Sequence, residues 1–303
     1  MKKILVIGSL NMDTVVTTPH MPKPGETIIS TSLAQVPGGK GANQAYAIGK
    51  LGGNVAMMGA VGKDSFGEAL LDNLKSVNVD VNGIEVIDGV PTGQAYIWVD
   101  ESTGQNSIVT VSGTNFEVTI PFIDRNRHLI EAADIIVMQM EIPFETVVYI
   151  KNLVLEMGKT LVVDPAPARG DIPDDFWQGI DYIKPNETEL EILTGLPTDT
   201  QENLMTSARM MKSKGVKNVL ISLGGDGCLL VSDEEESFIP TMKVKAVDTT
   251  AAGDSFTAGV VISLSRGDDI HKAIEVGQKV SGIVVTRKGA QSSIPSAEEI
   301  KDL

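Results

Sequence analysis

The chain has 303 residues, a formal charge of −15 at neutral pH and a pI near 4.6. So acidic a surface disfavours general affinity for nucleic acid or anionic membrane, since phosphates attract Lys and Arg, but it leaves room for a small anion at one local site. The lone cysteine, Cys228, rules out an internal disulfide and a cysteine-rich metal site.

At roughly 150 residues per domain, the length suggests two domains, or one large domain with an insertion. The N-terminal stretch reaches polar Asn11 and Asp13 too soon for a signal peptide. No apolar run approaches the ~18 residues of a membrane span. A soluble, cytoplasmic protein is expected.

Short Val/Ile-rich runs alternate with helical patterns. In chain order we expect strand 4–8, helix 41–51, strand 55–61, helix 65–76, strand 135–138 and helix 144–157. Strands 160–164 and 182–184 follow, then helices 187–194 and 201–214, strand 219–223, and helices 253–265 and 269–286. Ser65 with Glu68 fits a capping box, and Gly158 and Gly215 sit where helices should stop. The alternation predicts an α/β fold: a mostly parallel central sheet between helices.

Residues 14–37 and 93–112 break the rhythm. Both alternate apolar and polar side chains around turns, at Pro24-Gly25 and Thr103-Gly104, and read as antiparallel hairpins. They form either one small inserted lid sheet or two immobile edge hairpins. The lid reading divides the chain into an α/β domain (1–13, 38–92, 113–303) and a lid (14–37, 93–112).

Five motifs carry polar chemistry. Gly8-Ser9-Leu10-Asn11-Met12-Asp13 ends the first strand, where open α/β sheets bind ligands. Asn11 and Asp13 share a face if the strand continues, and suit sugar hydroxyls, although both types also end strands. Gly38-Gly39-Lys40-Gly41-Ala42-Asn43 enters a helix; it is either a ligand-approach loop or a Gly-rich turn. Its spacing is not that of a P-loop.

Lys184-Pro185-Asn186-Glu187-Thr188-Glu189 either helps hold a hydrated Mg²⁺ near phosphates or simply starts a helix. Ser222-Leu223-Gly224-Gly225-Asp226-Gly227 suits a tight turn or a nucleotide contact, and lacks the dinucleotide fingerprint. Asp248-Thr249-Thr250-Ala251-Ala252-Gly253-Asp254 runs into a helix. The N–H groups of Ala252, Gly253 and Asp254 could form an anion hole. Asp254 would then take a proton from an attacking hydroxyl, or serve only as a cap. Glu141 is a further carboxylate at a strand end. The three histidines show no metal-ligand spacing and read as surface residues.

Taken together, G-S-L-N-M-D, P-G-G-K-G-A-N, K-P-N-E-T-E and D-T-T-A-A-G-D resemble, in order and spacing, the ribokinase-like sugar kinase family. P-G-E-T at 24–27, M-E-I-P at 140–143, D-P-A-P-A at 164–168 and T-R-K-G-A-Q at 286–291 point to its ribose-phosphorylating members. The resemblance implies a large α/β domain, a β-sheet lid that often clasps a second subunit as a homodimer, and transfer of phosphate from ATP to the 5-hydroxyl of D-ribose.

It places ribose on Asn11, Met12, Asp13, Gly39, Lys40, Gly41, Ala42, Asn43 and Glu141, with Asp254 as catalytic base. Ala251, Ala252 and Gly253 line the anion hole. Asn186, Ser222, Leu223, Gly224, Gly225, Asp226, Gly227, Gly253 and Gln278 meet ATP, where the family commonly has Asn at the position of Gln278. Glu189 helps place Mg²⁺. Asp248, Thr250, Val284, Arg287, Gly289 and Ser293 would hold K⁺. Kinases for another furanose or a nucleoside, or a non-catalytic sensor on the same fold, are the competing readings.

Overall fold

Apolar runs buried on both faces build the centre of the molecule. In the computed structural model, which describes residues 1–301, the chain opens with β1 (Ile4–Ile7), β2 (Asn11–Thr18), β3 (Ser32–Gly38), α1 (Lys40–Lys50) and β4 (Val55–Gly62). It continues with α2 (Ser65–Ser76), β5 (Asp80–Ile87), β6 (Gly93–Asp100), β7 (Asn106–Val111), α3 (Ile120–Arg125), α4 (Arg127–Ala132) and β8 (Ile135–Met138). Then come α5 (Phe144–Glu156), β9 (Thr160–Val163), β10 (Tyr182–Ile183), α6 (Glu187–Thr194), α7 (Gln201–Ser213) and β11 (Asn218–Ser222). The last elements are β12 (Cys228–Val231), β13 (Glu236–Ile239), α8 (Ala252–Arg266) and α9 (Ile270–Val284).

A nine-stranded sheet runs β13-β12-β11-β10-β9-β8-β1-β4-β5. Its pairs are parallel except where β12 lies antiparallel to β11 and β13. Side-chain alternation feeds two cores. Ile4 and Val6 of β1 pack with residues of α1, α2, α8 and α9, including Ile48, Leu70, Val261 and Val284. Leu5 and Ile7 face the other layer, with Phe122, Val147, Leu190 and Leu204 from α3, α5, α6 and α7. The β11–β12 end is covered by Phe256 and Val260 of α8 and Ile274 of α9. Cys228 is buried there, and burial pushes its thiol up to about 12.

A separate four-stranded sheet runs β3-β2-β6-β7. Its two hairpins are antiparallel and join along a parallel β2–β6 pair. β2 begins at Asn11, so Asn11, Met12 and Asp13 pair within this small sheet, opposite Gly38, Pro37 and Val36 of β3. β7 is exposed along its whole length.

Three local expectations change. The cap of α2 is Asp64, which accepts from Gly67 N at 2.8 Å, rather than Ser65. Asp64 also accepts from Thr92 N and Oγ1, fixing the chain that enters β6. β5 was unforeseen because its Asn82-Gly83 pair reads as a turn. The β12–β13 hairpin was hidden behind a glycine-rich motif. Gly158 and Gly215 do adopt positive φ just beyond α5 and α7. Among the described residues, no helix is long and apolar enough to cross a membrane.

Candidate active site

The carboxyl ends of β1, β8, β9 and β10 and the first turns of α1 and α8 converge on one polar cluster. The loop into α1 makes this possible. Gly39 has φ 86°, and a Cβ there would sit 2.8 Å from Asn11 N, so only glycine lets α1 start so close to β2. Gly41 N and Ala42 N then donate to Ser9, at Oγ and O respectively.

On the small-sheet side, the Asn11 side chain is pinned, its Oδ1 accepting from Asn115 Nδ2 at 2.8 Å. Asn115 also bonds both backbone groups of Leu10. Asp13 Oδ1 is buried with no partner among the described residues. Burial, backed by the charges of Glu141 and Asp254, pushes the Asp13 carboxyl up to about 7. Glu141 accepts from the Ser9 hydroxyl and from Lys40 N (3.1 Å). Burial raises its carboxyl against the pull of Lys40. Burial alone would lower the Lys40 ammonium, but Asp254, Asp164, Glu141 and Glu189 overturn that and hold it above its ordinary range. Met12 and Ala42 instead point their side chains into the apolar core, so either can meet a sugar only through its backbone.

Asp254 lies between two regions, held by two amides. Asn43 Nδ2 donates to its Oδ2 (2.9 Å) and Gln44 Nε2 to its Oδ1 (3.1 Å). Gln44 Nε2 also donates to Asp164 Oδ2 at 2.8 Å, and Lys184 Nζ is 3.3 Å from Asp164 Oδ1. All of these side chains are buried. Gln291 Nε2 donates to Asn43 Oδ1 at 3.0 Å and is itself met by Asn73.

At the start of α8, Ala251 takes φ 59°, a left-handed conformation uncommon outside glycine. That turn leads directly into the helix. Ala252 N is spent on Thr249 O (3.2 Å), whereas the Gly253 and Asp254 amides meet no acceptor among the described residues. The anion hole is therefore narrower than expected: two free amides rather than three. A Cβ placed on Gly253 would lie 3.2 Å from Lys184 Nζ, which sets that ammonium beside the helix start.

A cleft of about 580 Å³ opens from here. Ala251, Ala252, Gly253 and Asp254 form its floor, with Asn186, Ser222, Gly224, Gly225, Gly227 and Gln278 on its walls. Leu223 points into the core, and Asp226 does not line the cleft but pairs at 2.7 Å with Lys243, which does. Gln278 Nε2 donates to Ile239 O at 2.9 Å, tying α9 to the end of β13. Asn186 and Glu189 do form a reciprocal capping box on α6, with both bonds at 2.8 Å. Only one Glu189 oxygen is used there, so the carboxylate can still face the cleft.

Asp248, Thr250 and Gly289 come together as well. Asp248 Oδ1 accepts from Thr250 N and Oγ1, and its Oδ2 from Gly289 N (2.9 Å). Burial alone would raise this carboxyl, but those bonds hold it below its ordinary range. Val285 O accepts from Val247 and Asp248, joining the loop to the end of α9. Arg287 Nη1 reaches Ser293 O (3.5 Å), and its Nη2 is paired with Glu299. The side chain of Val284 is buried, so Val284 can offer a cation only its carbonyl.

Sequence reasoning missed Gln44, Asn115, Asp164, Lys184 and Gln291. Asp164 and Lys184 each end a strand within quoted motifs, a position that could have flagged them. Gln291 closes the quoted T-R-K-G-A-Q motif and could have been flagged in the same way, whereas Asn115 carries no local signal.

The chain matches the pfkB family carbohydrate kinase profile over residues 1–297. It belongs to that family. It is 37% identical over 298 residues to a ribokinase of Haemophilus influenzae, covering 98% of this chain and 97% of that protein. A deoxyribokinase of Salmonella typhi is 35% identical over 299 residues, 99% and 97% of the two chains. The solved Arabidopsis thaliana ribokinase complexed with ribose and ATP superposes with a TM-score of 0.93 at 31% identity, covering 99% and 98%. Membership fits a polar cluster set between the small sheet and the start of α8.

Proposed function

We infer that the chain transfers phosphate from ATP to the 5-hydroxyl of D-ribose, giving ribose 5-phosphate and ADP. The observation that carries this reading is the position of Asp254. It sits at the start of α8 beside two free amides, with a long cleft on one side and the Asn11, Asp13 and Glu141 cluster on the other. Phosphoryl transfer asks mainly for positioning and charge stabilisation. Asn11, Asp13, Lys40, Asn43 and Glu141 would hold the sugar hydroxyls. Asp254 would take the proton of the attacking hydroxyl. The free amides, with Lys40 and Lys184 nearby, would hold the transferred phosphoryl group.

The oxygen donors suit the two implied cations. Glu189 keeps an oxygen for a hydrated Mg²⁺, which takes few protein ligands. Asp248 with the carbonyls of its loop and of 284–293 offers the mixed, weakly charged oxygen set that suits K⁺. Bound there, both ions supply positive charge to phosphate oxygens and to the helix start. A reaction that consumes ATP argues for a cytoplasmic setting, and the exposed lid sheet argues for a homodimer.

ADP release measured across D-ribose, deoxyribose, other furanoses and nucleosides tests the reading. Ribose should give the highest kcat/KM, because Asn11 and Asp13 together suit a sugar with free 2- and 3-hydroxyls. A nucleoside or deoxyribose outrunning ribose would displace the assignment. Tight ribose binding without ADP release would make the chain a sensor.

A further inference from the structure

The base is held by a side chain that does not itself line the cleft. Gln44 is fully buried in the first turns of α1, and every polar atom of its amide is used. Its two N–H bonds go to two different carboxylates, Asp254 Oδ1 (3.1 Å) and Asp164 Oδ2 (2.8 Å). Its Oε1 accepts from Gln139 Nε2 at 2.7 Å. Gln139 is fully buried too, one residue past β8. That last bond matters because an amide has two nearly isosteric orientations. Flipped, Gln44 would aim its oxygen at two carboxylates and its NH₂ at another NH₂. The two carboxylates, acceptors only, fix the donor end of Gln44 toward the acids, and Gln139, whose own Oε1 is buried with no partner among the described residues, supplies the matching donor on the other side.

We propose that Gln44, backed by Gln139, is a positioning residue that aims the Asp254 carboxylate at the sugar hydroxyl. The proposal rests on Asp254 being the base. Asn43 holds one carboxylate oxygen and Gln44 the other, so the rotation of Asp254 is fixed from both sides. The second Gln44 hydrogen couples this aim to Asp164, which Lys184 anchors in turn. Without Gln44, two carboxylates would share a buried site with one donor fewer, and Asp254 would be free to turn away. Other charged groups face this site: Asp13 from β2, Lys40 from α1, Glu141 after β8, and Asp164 with Lys184 after β9 and β10.

The test is a steady-state comparison of Gln44→Met, Gln139→Met, Asp254→Asn and the double variant Gln44→Met/Asp254→Asn. We expect Gln44→Met to lower kcat by about tenfold to a hundredfold, the usual worth of a hydrogen bond to a charged group, with the KM for ribose little changed. Gln139→Met should do the same more weakly. In the Asp254→Asn background, Gln44→Met should cost almost nothing further, because the base whose aim it sets is gone.

A residue that merely packs α1 would lower Tm and would cost the same factor in both backgrounds. The proposal falls if Gln44→Met keeps its kcat, loses it equally with and without Asp254, or loses ribose affinity in step. Should Gln44→Met fail to fold, Gln139→Met, which leaves the Gln44 side chain in place, decides by the same readings. Near wild-type turnover in Asp254→Asn is a separate result: it removes the base assignment itself, and the proposal with it.

Discussion

At the scale of single residues, two carboxylates should be separable by experiment. Asp254→Asn keeps the shape of the proposed base and removes its proton affinity, so kcat should fall by on the order of 10²–10⁴, checked by ADP release at saturating ribose. Asp13 differs, because its carboxyl is pushed up to about 7 by burial and by Glu141 and Asp254. It is mostly ionised only above that pH, and the ionised form accepts with both oxygens, whereas the protonated form turns one of them into a donor. The kcat/KM for ribose should therefore fall on the acid side of about pH 7, and Asp13→Asn should flatten that limb while raising KM. The same shift has a sign for stability. Between the ordinary value of 3.8 and about 7, the native state holds a proton that the unfolded chain has lost. The Asp13 contribution to the stability of the sugar-free protein should decline as pH rises through this window and level off above it, as the difference between wild-type and Asp13→Asn Tm series against pH would show. Both carboxylates were legible in the sequence because each ends a motif at a strand or helix boundary. Gln44 was not, because a glutamine inside a helix looks the same whether it faces solvent or two buried acids.

At the scale of elements, the buried central strands such as β1, β4 and β8 and the long helices were readable because burial on both faces leaves a continuous apolar run, and a glycine follows several helices. What escaped was pairing. Nothing local in residues 11–13 says that β2 starts there and joins the small sheet, since only contact with β3 and β6 decides it. The crossing of α8 and α9 is likewise a property of the pair. A Cβ on Gly259 would meet Gly277 Cα at 2.7 Å, so the two backbones touch. Alanine is the better helix former by about 1 kcal/mol, and propensity alone would make Gly259→Ala stabilising. Overpacking against backbone typically costs about 1–3 kcal/mol, and a backbone cannot rotate away as a side chain can. The clash should win, and Tm should fall by a few degrees, at about 2–4 °C per kcal/mol. Because Asp254 sits in the first turn of α8, kcat should fall too. A higher Tm would show that the helices separate more easily than their packing implies.

For the whole molecule, the charge of −15 opposes the approach of ATP, so recognition must be local. Lys40, Lys184 and Lys243 line the cleft together with the open amides of α8. The small sheet, proposed above as a lid, poses a different question. Its outer strands, β3 and β7, are sheet edges with unpaired backbone groups. Leu33, Ile108 and Val109 on those strands are each more than half exposed. An apolar sheet with open edges is a template for association, and two copies meeting there would cover those side chains and stiffen β2, which carries Asn11 and Asp13. Light scattering should then give about twice the 32.2 kDa of one chain, with Ile108→Lys shifting the mass toward a single chain. Because β2 loses its support when the pair separates, the KM for ribose should rise in the same variant while kcat changes less. A wild-type protein of one-chain mass, or a dimer indifferent to Ile108→Lys, would leave the lid as a cover belonging to one active site only.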